Sequence, residues 1–410
     1  MKAITRLADD AVRRLDLNDI ARADGFLFVR DGVGFAGRGV ALRVPFDDAP
    51  AVLASIDHAD ETGLDTDSAG SPPAGRGPIG LGWVPFEPGK PGEVVIPRVV
   101  VAKSRDGQCW VTQISGEGVD DANETLPAPT PPLPAADSYE IDQVTPTPVY
   151  LDAVEAARRA VRNGRLVKAV IAREITVTSS RPFDRHGVMQ RLKASFGSSY
   201  RFAVDGFFGA SPELLVAVDG RTVMSYPLAG TAPRAGDPDR DAAIAKALIE
   251  STKNQVEHRA VIDMVHDTLL PWCSYLDWEP EPSIVTVANV QHLGTRLEGQ
   301  LSSPPPNVTT LVRALTPTPA LGGHPGAEAL ALIAEVEHVD RDRYGGAVGW
   351  MDAHGNGAFA VAIRCAQLSD DGLVARLHAG GGIVADSDPL AELAETQAKF
   401  QAMLSALIRP

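Results

Sequence analysis

What this chain has little of narrows its function first. Only three cysteines occur, Cys109, Cys273 and Cys365, far apart and odd in number. They offer neither a disulfide framework nor a metal-ligand spacing, and read as isolated reduced thiols in a cytoplasmic protein. Basic charge is also short: 38 Lys and Arg stand against 53 Asp and Glu, a formal net charge of −15. Such a chain lacks the basic face that nucleic acid or an anionic membrane requires. No run approaches the roughly 18 apolar residues of a membrane span. The opening MKAITRLADDAVRRLDL carries acids and has no apolar run of signal-peptide length. The expectation is a soluble, cytoplasmic protein that must meet any anionic substrate with a local cationic site.

Core-forming material is plentiful. Of 410 residues, 44% are hydrophobic and 22% charged, enough for a large core in one body or in two or three domains. Residues 58–79 read as a surface loop, and LPAPTPPLPAA at 126–136 as a proline-rich connector that excludes helix and central strand. The connector fits a domain boundary or a strap across one body; we expect residues 1–136 to belong to the same body as 137–410. Short strands precede it, at 25–30 and 94–101. After it, the patterns give a helix over 149–163, strands at 167–177, 201–209, 213–218 and 223–227, and a helix over 254–270. The last hundred residues give strands at 347–351, 358–365 and 373–379, then a closing helix over 389–408. Antiparallel-type strands interleaved with long helices indicate an α+β fold with large sheets.

Four stretches carry chemistry. The closing helix starts at Ser387-Asp388-Pro389, a capping sequence with a first-turn proline. Spacings of three and seven put Glu392, Glu395 and Lys399 on one face; a merely solvated charged face is the alternative. Just upstream, Gly380-Gly381-Gly382 stands between apolar residues, a sign of backbone that must approach something closely. Glu257 shares a helix face with the apolar Ala260, Val261, Met264 and Val265, so its carboxylate needs a partner, a proton or a metal. Three carboxylates without a His or Cys cluster favour a hard cation such as Mg²⁺, with an ordinary Glu–Arg pair as the alternative. Lys168 shares a strand face with Val170 and Ala172, where lost hydration favours the neutral amine and suits a general base; a snorkelling lysine fits equally well. Glu213, after Ser211-Pro212, leads into an apolar strand and could act as a general acid; a merely solvated turn glutamate is the alternative.

Ten segments in order resemble the chorismate-utilising enzymes, which include anthranilate, aminodeoxychorismate, salicylate and isochorismate synthases. They are LVKAVIARE (166–174), SPELLV (211–216), PLAGTAPR (227–234), STKNQVEHR (251–259), VQHLGT (290–295), LTPTPALGG (315–323), RYGGAVGW (343–350), AIRCA (362–366), HAGGGIVADSDP (378–389) and ELAETQAKF (392–400). The resemblance implies one α+β body with two large, mostly antiparallel sheets and peripheral helices. It implies Lys168 as the base that activates water and Glu213 as the acid that protonates the departing hydroxyl. Glu257 and Glu395 would bind Mg²⁺ directly, with Glu392 close by. His292, Tyr344, Arg364 and Lys399 would contact the substrate carboxylates, and Gly230, Thr231, Gly380, Gly381 and Gly382 would line the site with backbone donors.

Within that family the departures point one way. Ala229 stands in PLAGT where the lysine-nucleophile aminodeoxychorismate synthases carry Lys, which argues against a covalent route. Anthranilate synthases usually lack a lysine at the position of Lys168 and use ammonia; this chain has no glutaminase elbow, and no glutaminase subunit is expected. GLGWVPFEPGKPGEVVIP (80–97) resembles isochorismate synthases. The expected reaction is chorismate to isochorismate in a monomer, with salicylate synthase as the alternative. Thr316 and Asp342 depart from the isochorismate synthase pattern in loops.

Overall fold

The computed structural model describes residues 1–65, 74–116, 134, 136–287 and 290–408. The proline-rich stretch 126–136 lies outside them except for Pro134 and Ala136, as does 66–73 of the expected loop. The rest of that loop is not all irregular: Asp57–Asp60 forms a short strand beside Lys2–Leu7.

The described strands make one hydrogen-bonded ladder of 20 and a separate sheet of three. The ladder forks at the strand Glu93–Lys103. One edge of that strand pairs along its length with Val33–Pro45. The other edge is shared, Glu93–Val95 pairing with Ile79–Val84 and Val99–Lys103 with Cys109–Ser115. The two expected sheets are therefore two arms of one ladder. From Val33–Pro45 the first arm runs through Phe26–Arg30, Tyr200–Val204, Phe207–Ser211, Cys365–Leu368, Val374–Ile383 and Lys168–Ser179. From Ile79–Val84 the second runs through Ala347–Asp352, Gly357–Val361, Leu214–Asp219, Thr222–Tyr226 and Leu297–Leu301. All these pairings are antiparallel.

The arms face each other across one core. Phe28, Phe35, Phe202 and Phe207 of the first arm are buried in one cluster with Val216, Trp350 and Phe359 of the second. Each such side chain contributes about 1.5–3 kcal/mol by leaving water. The outer face of the first arm is covered by helices. Ile175 and Val177 pack there with Phe400 and Leu404 of the closing helix Pro389–Ile408. Strand Lys168–Ser179 is thus covered on both faces, and from Lys168 to Ile175 every residue is buried rather than every second one.

Two segments expected as single strands are broken, and both breaks matter. Residues 201–209 form a hairpin, turning at Asp205 and Gly206 with φ of 50° and 74°; two successive positive values are those of a tight two-residue hairpin turn. Residues 358–365 split at Ala362–Arg364, where Arg364 has φ 51°. There the chain passes from the second arm to the first, Gly357–Val361 belonging to one and Cys365–Leu368 to the other. It makes the reverse crossing at Pro212-Glu213. The two crossings hold each other: Val361 N donates to Glu213 O at 3.1 Å and Ala210 N to Arg364 O at 3.0 Å.

The three-stranded sheet, Leu228–Pro233, Val290–Gly294 and Ser283–Thr286, sits beside this seam. Helix Thr252–Leu269 packs on it, capped by Ser251 Oγ accepting from Asn254 N.

Candidate active site

A pocket opens at the seam, between the crossings, the three-stranded sheet and the closing helix. Twelve of the fourteen residues expected from sequence line it: Lys168, Glu213, Gly230, Thr231, Glu257, His292, Tyr344, Arg364, Gly380, Gly382, Glu395 and Lys399. Gly381 and Glu392 do not. Successive residues of a strand face opposite sides, so Gly381 turns away from the pocket while its neighbours face it. Glu392 is buried behind it, and a Cβ on Gly381 would meet Glu392 Oε2 at 2.8 Å.

The glycine run also explains itself on the pocket side. A Cβ on Gly382 would lie 2.4 Å from Lys168 Cε and 3.0 Å from Glu257 Oε1. Only a bare backbone leaves those side chains room. Pairing of this strand to Cys365–Leu368 ends at Leu377, and beyond it Gly380 O accepts from Lys399 Nζ at 2.7 Å.

Two lysine–glutamate pairs dominate the polar wall. Lys168 Nζ donates to Glu257 Oε1 at 2.6 Å, and Lys399 Nζ lies 2.5 Å from Glu395 Oε1. The expected base and an expected metal ligand therefore contact each other directly. Among the described residues no group of three or more His, Cys, Asp or Glu is arranged to hold a metal ion. Glu257 and Glu395 are nonetheless both in the pocket, and carboxylate oxygens suit a hard cation in kind.

Glu213 is a strongly perturbed acid. It is buried, and burial pushes its carboxyl up from 4.5 to about 7, against the Leu228 N–H and the charges of Lys168 and Arg364. The Leu228 N–H donates to Glu213 Oε1 at 3.3 Å, fixing one oxygen. His292 is pushed the other way, to about 3, by burial and then by Arg364 and Lys399. It is a neutral imidazole at pH 7, with Nδ1 3.1 Å from Thr231 Oγ1 and Nε2 buried with no hydrogen-bond partner among the described residues. Burial raises Tyr344 to about 12, keeping its hydroxyl protonated, and lowers Arg364 from its ordinary value.

A family model for chorismate-binding enzymes matches residues 87–408. The chain belongs to the chorismate-binding enzyme family. A Mycobacterium tuberculosis protein, provisionally named as the isochorismate synthase MenF, is 40% identical over 348 residues, covering 82% of this chain and 87% of that protein. The isochorismate synthase DhbC of Bacillus subtilis is 34% identical over 341 residues, covering 80% of this chain and 81% of that protein. The solved structure of Escherichia coli MenF, a menaquinone-specific isochorismate synthase, superposes with a TM-score of 0.82 at 24% identity over all of this chain and 94% of that one; at that identity it shows the shared fold.

Sequence reasoning missed several walls of this pocket. Leu228, Ala320, Leu321 and Ile363 supply apolar surface inside motifs already recognised, but nothing in their residue types marks them as lining. The departure at Asp342 has a backbone reason: its φ is 48°, a conformation natural to Gly and tolerated by Asp. Among the described residues, no helix is long and apolar enough to cross a membrane.

Proposed function

We propose that this protein is a magnesium-dependent isochorismate synthase, adding water at C2 of chorismate with loss of the C4 hydroxyl. The observation that carries the reading is Glu213: a carboxyl buried at the seam and poised at about 7, in one pocket with a lysine. An acid with that value is substantially protonated at neutral pH and can donate to a leaving hydroxyl. Lys168 takes the proton of the attacking water. Arg364, Lys399, the Tyr344 hydroxyl and the neutral His292 hold the two substrate carboxylates, local donors that a −15 chain needs for a dianion. Ala229 lines the pocket with a methyl group, where a covalent route would need an amine; with water as the nucleophile, activated by Lys168, no glutaminase subunit is needed.

Glu257 and Glu395 would hold Mg²⁺, with Glu392 behind Gly381. Bound there, the ion would neutralise charge on a substrate carboxylate. Each of the two pocket carboxylates is also paired with a lysine, which lowers the cost of burying it.

The test is product analysis after incubating the purified protein with chorismate and Mg²⁺. Isochorismate alone supports the reading. Salicylate with pyruvate would replace it with a salicylate synthase, and no conversion would refute it.

A further inference from the structure

Strand Lys168–Ser179 carries the proposed base, yet its two edges are not equally covered by the described strands. Its first edge pairs with Val374–Ile383 from Ala169 to Thr178. On its second edge Tyr139–Gln143 covers Ile175–Ser179, and Gly323-His324 covers Lys168-Ala169. Among the described strands none covers the stretch between. Backbone groups buried there cost stability unless paired.

Gly322 O accepts from Val170 N at 2.9 Å and Glu174 O from Thr145 N at 3.1 Å, so the ends of the gap are served from outside any strand, and two side chains take the groups between. Glu337 Oε1 accepts from Ala172 N at 2.7 Å, and Arg341 Nη2 donates to Val170 O at 2.7 Å. Arg341 also donates through Nη1 to Leu321 O at 2.8 Å and through Nε to Glu337 Oε2 at 2.8 Å, with Nη2 bonded to Glu337 Oε1. Both side chains are only 2% exposed, and the guanidinium lies 4.2 Å from the centre of the Phe86 ring. A buried ion pair is a weak source of stability, since desolvation offsets much of its attraction. A fork of fixed donors and acceptors can, however, complete a strand edge as no apolar pair can.

We infer that Glu337 and Arg341 are positioning residues that act as a substitute strand, setting the backbone that presents Lys168 and the pocket wall. The groups they hold are the pocket's own: Val170 and Leu321 line it, and Tyr344 N donates to Arg341 O at 2.8 Å. The inference rests on the reading of this pocket as the reaction site.

The test compares R341K and E337Q with wild type by hydrogen exchange and by steady-state kinetics on chorismate with Mg²⁺. Lysine keeps the charge but loses the fork; glutamine keeps an acceptor for Ala172. In R341K, amides of 170–172 should exchange faster than in wild type, with the closing helix unchanged. Its kcat should fall about tenfold or more, since misplacing a reacting group by about 1 Å can cost about a hundredfold, while KM stays within about threefold. E337Q should lose less of both. Unchanged exchange at 170–172 overturns the brace, whatever substrate is used. Faster exchange with unchanged kcat overturns the positioning role. A wild type inactive on chorismate but showing the same exchange pattern would refute the reaction and leave the brace standing.

Discussion

Glu213→Gln separates catalysis from stability at one atom. Glutamine keeps the shape and an oxygen for the Leu228 N–H, so the pocket should persist. It cannot deliver a proton. General-acid assistance is worth about 10² to 10⁴ in rate, so kcat should fall by that factor, about 3–5 kcal/mol in barrier. Stability should move the opposite way. Below pH 4.5 the carboxyl is protonated in both the folded and the unfolded chain and costs nothing extra. As pH rises toward the folded value of about 7, the unfolded chain releases its proton first and the folded state loses relative stability. A shift of that size corresponds to about 3 kcal/mol, so E213Q should be more stable than wild type at pH 8 by an amount of that order and nearly equal at pH 4. Wild-type kcat should also decline above about pH 7 as the acid is lost. The assays are product formation across pH 5.5–9 and chemical denaturation at pH 4 and 8. A kcat within tenfold of wild type, or no stability gain at pH 8, would sink the assignment of Glu213 as a buried acid.

Three further outcomes follow. Lys168→Ala should lower turnover by about 10² to 10⁴ while chorismate still binds, as equilibrium binding can show; a near-normal rate would remove Lys168 as the base. Glu257→Ala and Glu395→Ala should each shift the Mg²⁺ titration of activity to higher concentration, and an unchanged titration would exclude them as ligands. His292 resists protonation down to about 3 against an ordinary 6.5, so the unfolded chain gains a proton first as pH falls. Acidification from pH 6.5 to 4.5 should therefore cost wild type up to about 3 kcal/mol that His292→Asn does not lose, measured as the difference in denaturation midpoints; equal losses would contradict a buried neutral imidazole.

Sequence alone determined a good deal here. The closing helix was legible because its signals are local: Asp388 Oδ1 accepts from Ala391 N at 2.9 Å, and Pro389 opens the helix as the capping pattern implied. Helix Thr252–Leu269, the glycine run and the order of ten motifs were legible for the same reason, and with them the family and twelve lining residues. What sequence could not determine depends on contacts between distant segments. The break at Ala362–Arg364 lies inside a run whose composition reads as continuous strand, because crossing between arms is decided by which strands each half pairs with; the hairpin turn at Asp205-Gly206, by contrast, carries a local Asp-Gly signal that the continuous-strand reading of 201–209 passed over. Glu392 shares a helix face with Glu395, yet the alternation of Gly380–Gly382 puts it behind the strand. Lys168 meets Glu257 across 89 positions of chain, and Ala172 meets Glu337 across 165. Residue types along a chain specify what a strand or helix will bury; only the packed body decides which buried groups find each other.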